Sequence, residues 1–222
     1  MAFDIHQKVV DQDGELLEKR AREYQNQLTR LFLESPEGRA LIDEDVEGGW
    51  ANMMMDYGLN YLHVTPPQMS PGDLREILFD LFPRKVSAEA DEAPNIIREL
   101  QAFWTFLQRE FRLENAADCL KILDDSAVRR LRRDMSDPAN FDMAKSIVMM
   151  GKARGFDMTT EEGINEWITT YNAEMAAGFG QRSPTRAIPT VSSSVEKSPT
   201  QSQFKFSRKT AKSSHKKNRK KR

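Results

Sequence analysis

Residues 70–83 read Ser-Pro-Gly-Asp-Leu-Arg-Glu-Ile-Leu-Phe-Asp-Leu-Phe-Pro, and this stretch decides the fold class. Ser70 is a favourable N-cap, and Pro71 and Asp73 occupy positions where proline and an acid are favoured in a first helical turn. After this cap, apolar residues recur at intervals of three and four: Leu74, Ile77, Leu78, Leu81 and Phe82. The spacing predicts an amphipathic α-helix that ends at Pro83, because proline disrupts a helix interior.

The same spacing runs outward from this stretch through most of the chain. It predicts helices at residues 14–34, 50–64, 70–82, 94–111, 116–123, 127–135, 139–154 and 159–175. Residues 50–64 are apolar nearly all round, which predicts central burial, and 139–154 form a second nearly all-apolar helix. Because no run of alternating β-branched residues and no Asn-Gly hairpin turn is present, strands are not expected. The predicted fold is all-α, an irregular bundle of about six to eight helices with a disordered C-terminal tail.

Charge divides the chain into two parts. The 222 residues contain 33 Lys and Arg and 34 Asp and Glu, a formal net charge of −1. Residues 181–222 hold 13 of the basic residues and one acid, whereas residues 1–180 hold the remaining 20 basic and 33 acidic residues. We therefore predict an acidic, all-helical globular domain at 1–180 and a basic tail at 181–222, which contains too little apolar surface to fold alone.

The end of the tail is the strongest functional signal in the sequence. Ten of its last eighteen residues are basic and none is acidic: Lys205, Arg208, Lys209, Lys212, Lys216, Lys217, Arg219, Lys220, Lys221 and Arg222. Such an arm binds phosphates through counterion release, which predicts binding to RNA, DNA or the ribosome with little sequence preference. Phe204 and Phe206 flank Lys205 and could stack on unpaired bases. The alternatives are that the tail folds back on its own acidic body, binds an acidic protein partner, or contacts a membrane surface.

A second basic cluster, Arg129, Arg130, Arg132 and Arg133, lies in the helix predicted at 127–135. Helical spacing places several of these guanidinium groups together, as in a phosphate-binding ridge. The favoured interpretation is local neutralisation of neighbouring acids, since surface charge runs are usually solvated faces.

The sequence offers little for catalysis, and we predict a nonenzymatic accessory or adaptor protein with no cofactor and no metal. Only three histidines are present, of which His63 is best interpreted as a capping or core residue. The single cysteine, Cys119, lies in a helical pattern and is predicted to be a buried core residue. No stretch approaches the ~20 apolar residues that a transmembrane helix needs, and no signal-peptide core is present. These features predict a cytoplasmic protein whose acidic body could bind a protein partner.

Several short motifs add a resemblance to these predictions. They are Gly49-Trp50, Asp56-Tyr57-Gly58, Asn60-Tyr61-Leu62, Pro66-Pro67-Gln68-Met69, Phe82-Pro83-Arg84-Lys85-Val86, Met149-Met150-Gly151 and Gly155-Phe156-Asp157-Met158. With the basic C-terminus, they resemble an uncharacterised family of bacterial, cyanobacterial-type helical proteins. The resemblance covers most of the chain and implies a bacterial cytosolic protein. Because that family has no known activity, it assigns no functional residue.

Overall fold

Helices make up most of the described chain, which comprises residues 3–44, 46 and 48–178 of a computed structural model. The α-helices are α1 (Glu18–Glu34), α2 (Pro36–Asp43), α3 (Trp50–Tyr57), α4 (Pro71–Glu76), α5 (Phe82–Lys85), α6 (Ala93–Phe111), α7 (Ala116–Leu120), α8 (Asp125–Ser136), α9 (Met143–Ala153) and α10 (Glu161–Gly178). The shorter turns are π-helical at Gly58–Leu62 and Ile77–Leu81 and 3-10 at Ala90–Glu92 and Pro138–Asn140. Since Ile77–Leu81 joins α4 and α5 into one rod, the described residues form nine helices. The all-α bundle is thereby confirmed, and the predicted tail at 181–222 lies outside the described residues.

The chain before α1 forms a short turn and does not extend that helix. Val10 and Leu16 pair in an isolated antiparallel bridge, and Gly14 between them has a φ of 85°. A positive φ is incompatible with a right-handed helix and is readily adopted by glycine. Helix α1 therefore begins at Glu18, later than the apolar spacing predicts.

Helix α6 lies in the middle of the main core and packs against α2, α3, α7 and α8. Its apolar row is completely buried: Ile96, Leu100, Phe103 and Leu107 are each 0% exposed. Helix α3 is also buried as predicted, with Met53, Met54 and Met55 at most 1% exposed. The two helices therefore supply the apolar centre around which the outer helices pack.

The start of α4 has the capping arrangement that its sequence predicts. Ser70 Oγ accepts the Asp73 N–H at 3.2 Å, and the Asp73 carboxylate accepts the Ser70 N–H at 2.7 Å. This reciprocal capping box satisfies two N–H groups that the first helical turn would otherwise leave unpaired.

The rod formed by α4 and α5 continues past Pro83, so the prediction that this residue ends the helix is wrong. A proline inside a helix lacks an N–H, and its ring clashes with a carbonyl in the preceding turn. Here the turn Ile77–Leu81 is π-helical, and the Phe82 N–H bonds to the Ile77 carbonyl across five residues instead of four. We attribute the continuation of the rod to Lys85 to this wider turn, which gives the proline ring room.

Helices α9 and α10 pack on each other around a small second core. Met158, Trp167 and Ile168 are buried there, outside the main apolar cluster. Gly151 permits the close crossing of the two helices, since a Cβ at this position would lie 2.9 Å from Trp167 Cδ1. Gly155, with a φ of 87°, lies in the turn that follows α9.

Candidate interaction surfaces

The ten tail residues predicted to bind nucleic acid, from Lys205 to Arg222, all lie outside the described residues. The described part of the chain instead shows what the body offers to a partner. Its outer surface contains three features of interest: the arginines of α8, a row of cations on α1 and an exposed apolar face on α9.

The arginines of α8 are mostly engaged with acids of the same body. Arg130 and Arg133 contact Asp134 at 3.3 and 2.9 Å, and Arg132 contacts Asp91 at 3.6 Å. Arg130 also lies 4.1 Å from the centroid of the Phe79 ring. These contacts favour local neutralisation over a phosphate-binding ridge, as the sequence suggested.

Helix α1 has a row of cations on the face opposite its apolar stripe, where the sequence pattern places Arg22 and Arg30. The row consists of Lys19, Arg22 and Arg30. Arg22 follows Lys19 by three residues and Arg30 follows Arg22 by eight, so the three side chains share one exposed face of the helix. None of the ion pairs among the described residues includes them. The same helix also carries the acids Glu18, Glu23 and Glu34. The row is therefore nearly balanced by acids of its own helix.

The outer face of α9 exposes large apolar side chains. Met143 is 77% exposed, and Met150, seven residues later on the same face, is 40% exposed. Tyr61, 46% exposed, belongs to the same region: its ring centroid is 5.0 Å from Lys85 Nζ, which lies 3.5 Å from the Asp142 carboxylate. Tyr61, Met143 and Met150, which we call the methionine patch, are the large hydrophobic side chains that are exposed among the described residues.

This exposure is not what the nearly all-apolar sequence of α9 suggests. Within the helix, only Lys145 and Gly151 are buried. A lysine thus occupies the inner face while methionines face solvent, which reverses the usual order of burial.

Two lysines fasten α9 to the end of the rod formed by α4 and α5 and to the segment that directly follows it. Lys145 Nζ donates to the Pro83 carbonyl at 2.7 Å and lies 4.0 Å from the centroid of the Phe141 ring. Lys152 Nζ donates to the Ser87 carbonyl at 3.0 Å. Cations are favoured at the C-terminal end of a helix because the carbonyls there carry partial negative charge. Burial nevertheless lowers the pKa of Lys145 to about 8.

Glu99 is a buried acid in α6 that sequence reasoning also missed, since Arg98 precedes it and nothing in the sequence marks it as buried. Its side chain is 3% exposed and accepts the N–H groups of Gly49 and Ala51, each at 2.9 Å. These donors lie at the start of α3, so the carboxylate caps that helix from a neighbouring element. Burial raises the pKa of Glu99 to about 7, although the backbone N–H groups oppose this shift.

The structure places His63 at the end of a turn and Cys119 in the core. His63 is the C-cap of the π-turn, with a φ of 56° and a backbone N–H that bonds to the Gly58 carbonyl, so its predicted cap position is confirmed; because it is exposed, the alternative of a core residue is wrong. Cys119 is buried as predicted, and desolvation raises the pKa of its thiol to about 12. Among the described residues, no group of three or more His, Cys, Asp or Glu side chains is placed to hold a metal ion.

An open cleft of about 410 Å³ lies between the end of α9 and the start of α10. It is lined by Arg154, Gly155, Phe156, Asp157, Thr160, Glu162, Gly163 and Glu166. Its one arginine pairs with Glu174 and lies 5.1 Å from the Trp167 ring centroid. Because the other charged groups of the lining are carboxylates, the cleft is poorly suited to a phosphate.

Comparison of the chain with protein-family models, curated proteins and solved structures finds no match. The resemblance to a cyanobacterial-type family therefore stays a prediction. Among the described residues, no helix combines the length and apolar character needed to cross a membrane.

Proposed function

We propose that the protein is a nonenzymatic, cytoplasmic adaptor that binds nucleic acid electrostatically through Lys205–Arg222. The observation that carries this proposal is the separation of charge along the chain. Residues 181–222 carry 13 basic residues and one acid, whereas residues 1–180 carry 33 acids and 20 basic residues. A polyanion is attracted to the first segment and repelled by the second.

The contacts of the body support the tail as the binding element. Ten of the twenty cations in residues 1–180 form ion pairs with acids of the described residues. Lys145 is buried on a backbone carbonyl. The remaining cations include the row on α1, which three acids of the same helix accompany. Phosphate contacts through the body would therefore be fewer than those through the tail.

Salt dependence provides the test. Full-length protein is titrated into a fluorescently labelled 20-nucleotide uridylate RNA, and anisotropy gives the affinity at several salt concentrations. For a single strand, the slope of log K against log salt is about −0.7 for each phosphate neutralised. Six to ten tail contacts with this single strand would lower the affinity by about 300-fold to 16,000-fold between 50 and 200 mM salt.

Two variants that each remove three positive charges identify the binding element. In the tail, Lys216→Gln, Lys217→Gln and Lys220→Gln together should make the slope shallower by about 2. In the body, Lys19→Gln, Arg22→Gln and Arg30→Gln together should leave it unchanged. Equal effects of the two variants, or RNA binding that is insensitive to salt, would contradict the proposal.

A second candidate function is a protein-interaction module whose tail folds back on its own body. The exposed methionine patch favours it, because apolar side chains gathered on one surface mark contact sites more often than scattered ones do. In this case the tail would still bind polyanions, but only after leaving the body.

A further inference from the structure

The exposure of the methionine patch is not explained by the packing of the described helices. Tyr61, Met143 and Met150 come from two separate parts of the chain, and all three remain exposed. Lys85 brings the parts together, because it contacts both the Tyr61 ring and Asp142. The inner face of α9 is already anchored by Lys145. The outer face is therefore free to receive another segment.

The side chains of the patch suit an aromatic ligand. Methionine is unbranched and polarisable, so it adapts its shape to a partner and makes favourable contacts between sulfur and aromatic rings. Met143 and Met150 are seven residues apart on one helix, a rise of about 10 Å. An extended segment with aromatic residues at alternate positions presents both rings on one side, about 7 Å apart. Two such rings could contact both methionines at once.

The chain contains one such segment beyond its described residues, at Phe204-Lys205-Phe206. Helix α10 ends at Gly178, 26 residues before Phe204. A flexible chain of that length spans about 28 Å on average. Trp167 Nε1 donates to the Ile147 carbonyl at 2.8 Å, so α10 contacts α9 at Trp167. Trp167 lies about 16 Å from Gly178 along the axis of α10. The segment can therefore reach the patch.

We propose that Phe204-Lys205-Phe206 docks on the methionine patch of the same chain. The acidic excess of residues 1–180 attracts the basic tail as a whole, while the charged pair beside the patch, Lys85 and Asp142, is balanced. Attachment to the same chain also favours this occupant, since a short flexible linker gives a tethered segment an effective concentration in the millimolar range. Even if the rings bind the methionines weakly, a substantial fraction of the molecules would then have the segment docked on the patch.

Docking would regulate nucleic-acid binding, and this consequence rests on the proposed function. The Phe pair directly precedes the basic run Arg208–Arg222. A nucleic acid that stacks on Phe204 and Phe206 competes with the patch for the same two rings. Nucleic acid should therefore expose Met143 and Met150, and an occupied patch should weaken nucleic-acid binding.

Oxidation of methionine by hydrogen peroxide measures docking in the full-length protein, without any nucleic acid. The variant Phe204→Ala with Phe206→Ala should raise the oxidation rate of Met143 about threefold, the value for a patch occupied about two-thirds of the time. The matched control, Ile188→Ala with Val191→Ala, removes two other apolar residues of the tail and should leave the rate unchanged. Both changes lie outside the described helices, so the rate of buried Met53 should stay the same in each.

The outcomes separate the possible occupants. Equal Met143 rates in wild type and in the double Phe variant would overturn the proposal. Protection that disappears on tenfold dilution would also overturn it, because a second copy would then cover the patch. Protection that does not change on dilution and depends on Phe204 and Phe206 supports it.

Addition of the uridylate RNA distinguishes this proposal from the proposed function. Release of the tail should bring the Met143 rate of the wild type to that of the double Phe variant. If the RNA fails to bind in the anisotropy assay while protection persists, docking stands and the nucleic-acid function fails. If the RNA binds and Met143 stays protected, the proposed competition is wrong.

Discussion

The buried carboxylate of Glu99 makes the stability of the protein depend on pH in a predictable direction. Its pKa is raised from 4.5 to about 7 in the folded state. Between these values the folded protein keeps a proton that the unfolded chain has lost, so stability falls as pH rises. The stability that protonated Glu99 contributes is fully present below pH 4.5 and is lost as the pH rises through 7. With 1.36 kcal/mol for each pKa unit, the change is about 3 kcal/mol.

The substitution Glu99→Gln isolates this contribution. Glutamine keeps one oxygen to accept the Ala51 N–H, but its NH₂ group faces the Gly49 N–H, so we expect the variant to be less stable at pH 5. Because glutamine does not titrate, the stability difference between wild type and variant should shift by about 3 kcal/mol in favour of the variant from pH 5 to pH 8. Urea denaturation followed by tryptophan fluorescence at pH 5, 6, 7 and 8 gives this difference.

The control is Glu37→Gln on the protein surface. Glu37 contacts Arg109 at 2.7 Å, and this hydrogen bond lowers the pKa of the Glu37 carboxyl. Glu37 is therefore ionised in both the folded and the unfolded state above pH 5, and its substitution should give a difference that is constant between pH 5 and 8. If the Glu99 difference is equally constant, the carboxylate is charged throughout this range, and the hydrogen bonds from the Gly49 and Ala51 N–H groups outweigh its burial.

Two further substitutions test the attachment of the C-terminal helices. Gly151→Leu should separate α9 from α10, because even a Cβ would lie 2.9 Å from Trp167 Cδ1. We expect the free energy of unfolding, measured by urea denaturation, to fall by about 1–3 kcal/mol. An unchanged denaturation midpoint would refute the close crossing of the two helices. Lys145→Met should leave the Pro83 carbonyl unpaired at a cost of about 1–3 kcal/mol at pH 7. Because the pKa of Lys145 is lowered to about 8, wild type should gain stability relative to this variant as pH rises from 8 to 10, and a constant difference would argue against desolvation of the amine.

Spacing predicted the part of the fold that depends on local sequence. The capping residues of α4 and the buried row of α6 follow from which residue types stand three and four positions apart, and both were confirmed. Such patterns indicate whether a segment has an apolar face. They do not indicate which other segment of the chain packs against that face.

The predictions that failed depend on contacts between distant segments. Pro83 lies inside a helix because a π-turn precedes it, and no sequence pattern of the rod indicates that turn. Helix α9 exposes Met143 and Met150, whereas Lys145 takes the inner face, where the rod offers a carbonyl acceptor. Glu99 acts on α3 from 48 residues away. A lysine in a nearly all-apolar helix was the available signal for Lys145, and it gives no information about the partner. Glu99 follows Arg98 directly, so no comparable signal marked it in the sequence.

Salt offers a way to tell the two proposed uses of the tail apart, because the two contacts respond to it differently. Binding of Lys205–Arg222 to a nucleic acid releases counterions and weakens by orders of magnitude as salt rises. Docking of Phe204 and Phe206 on methionines buries apolar surface, which salt does not screen. With RNA present, raising the salt concentration should therefore return the segment to the methionine patch, and protection of Met143 should increase. If protection instead falls with salt both with and without RNA, and is the same in wild type and in the double Phe variant, then charge, and not the phenylalanine rings, holds the tail to the body.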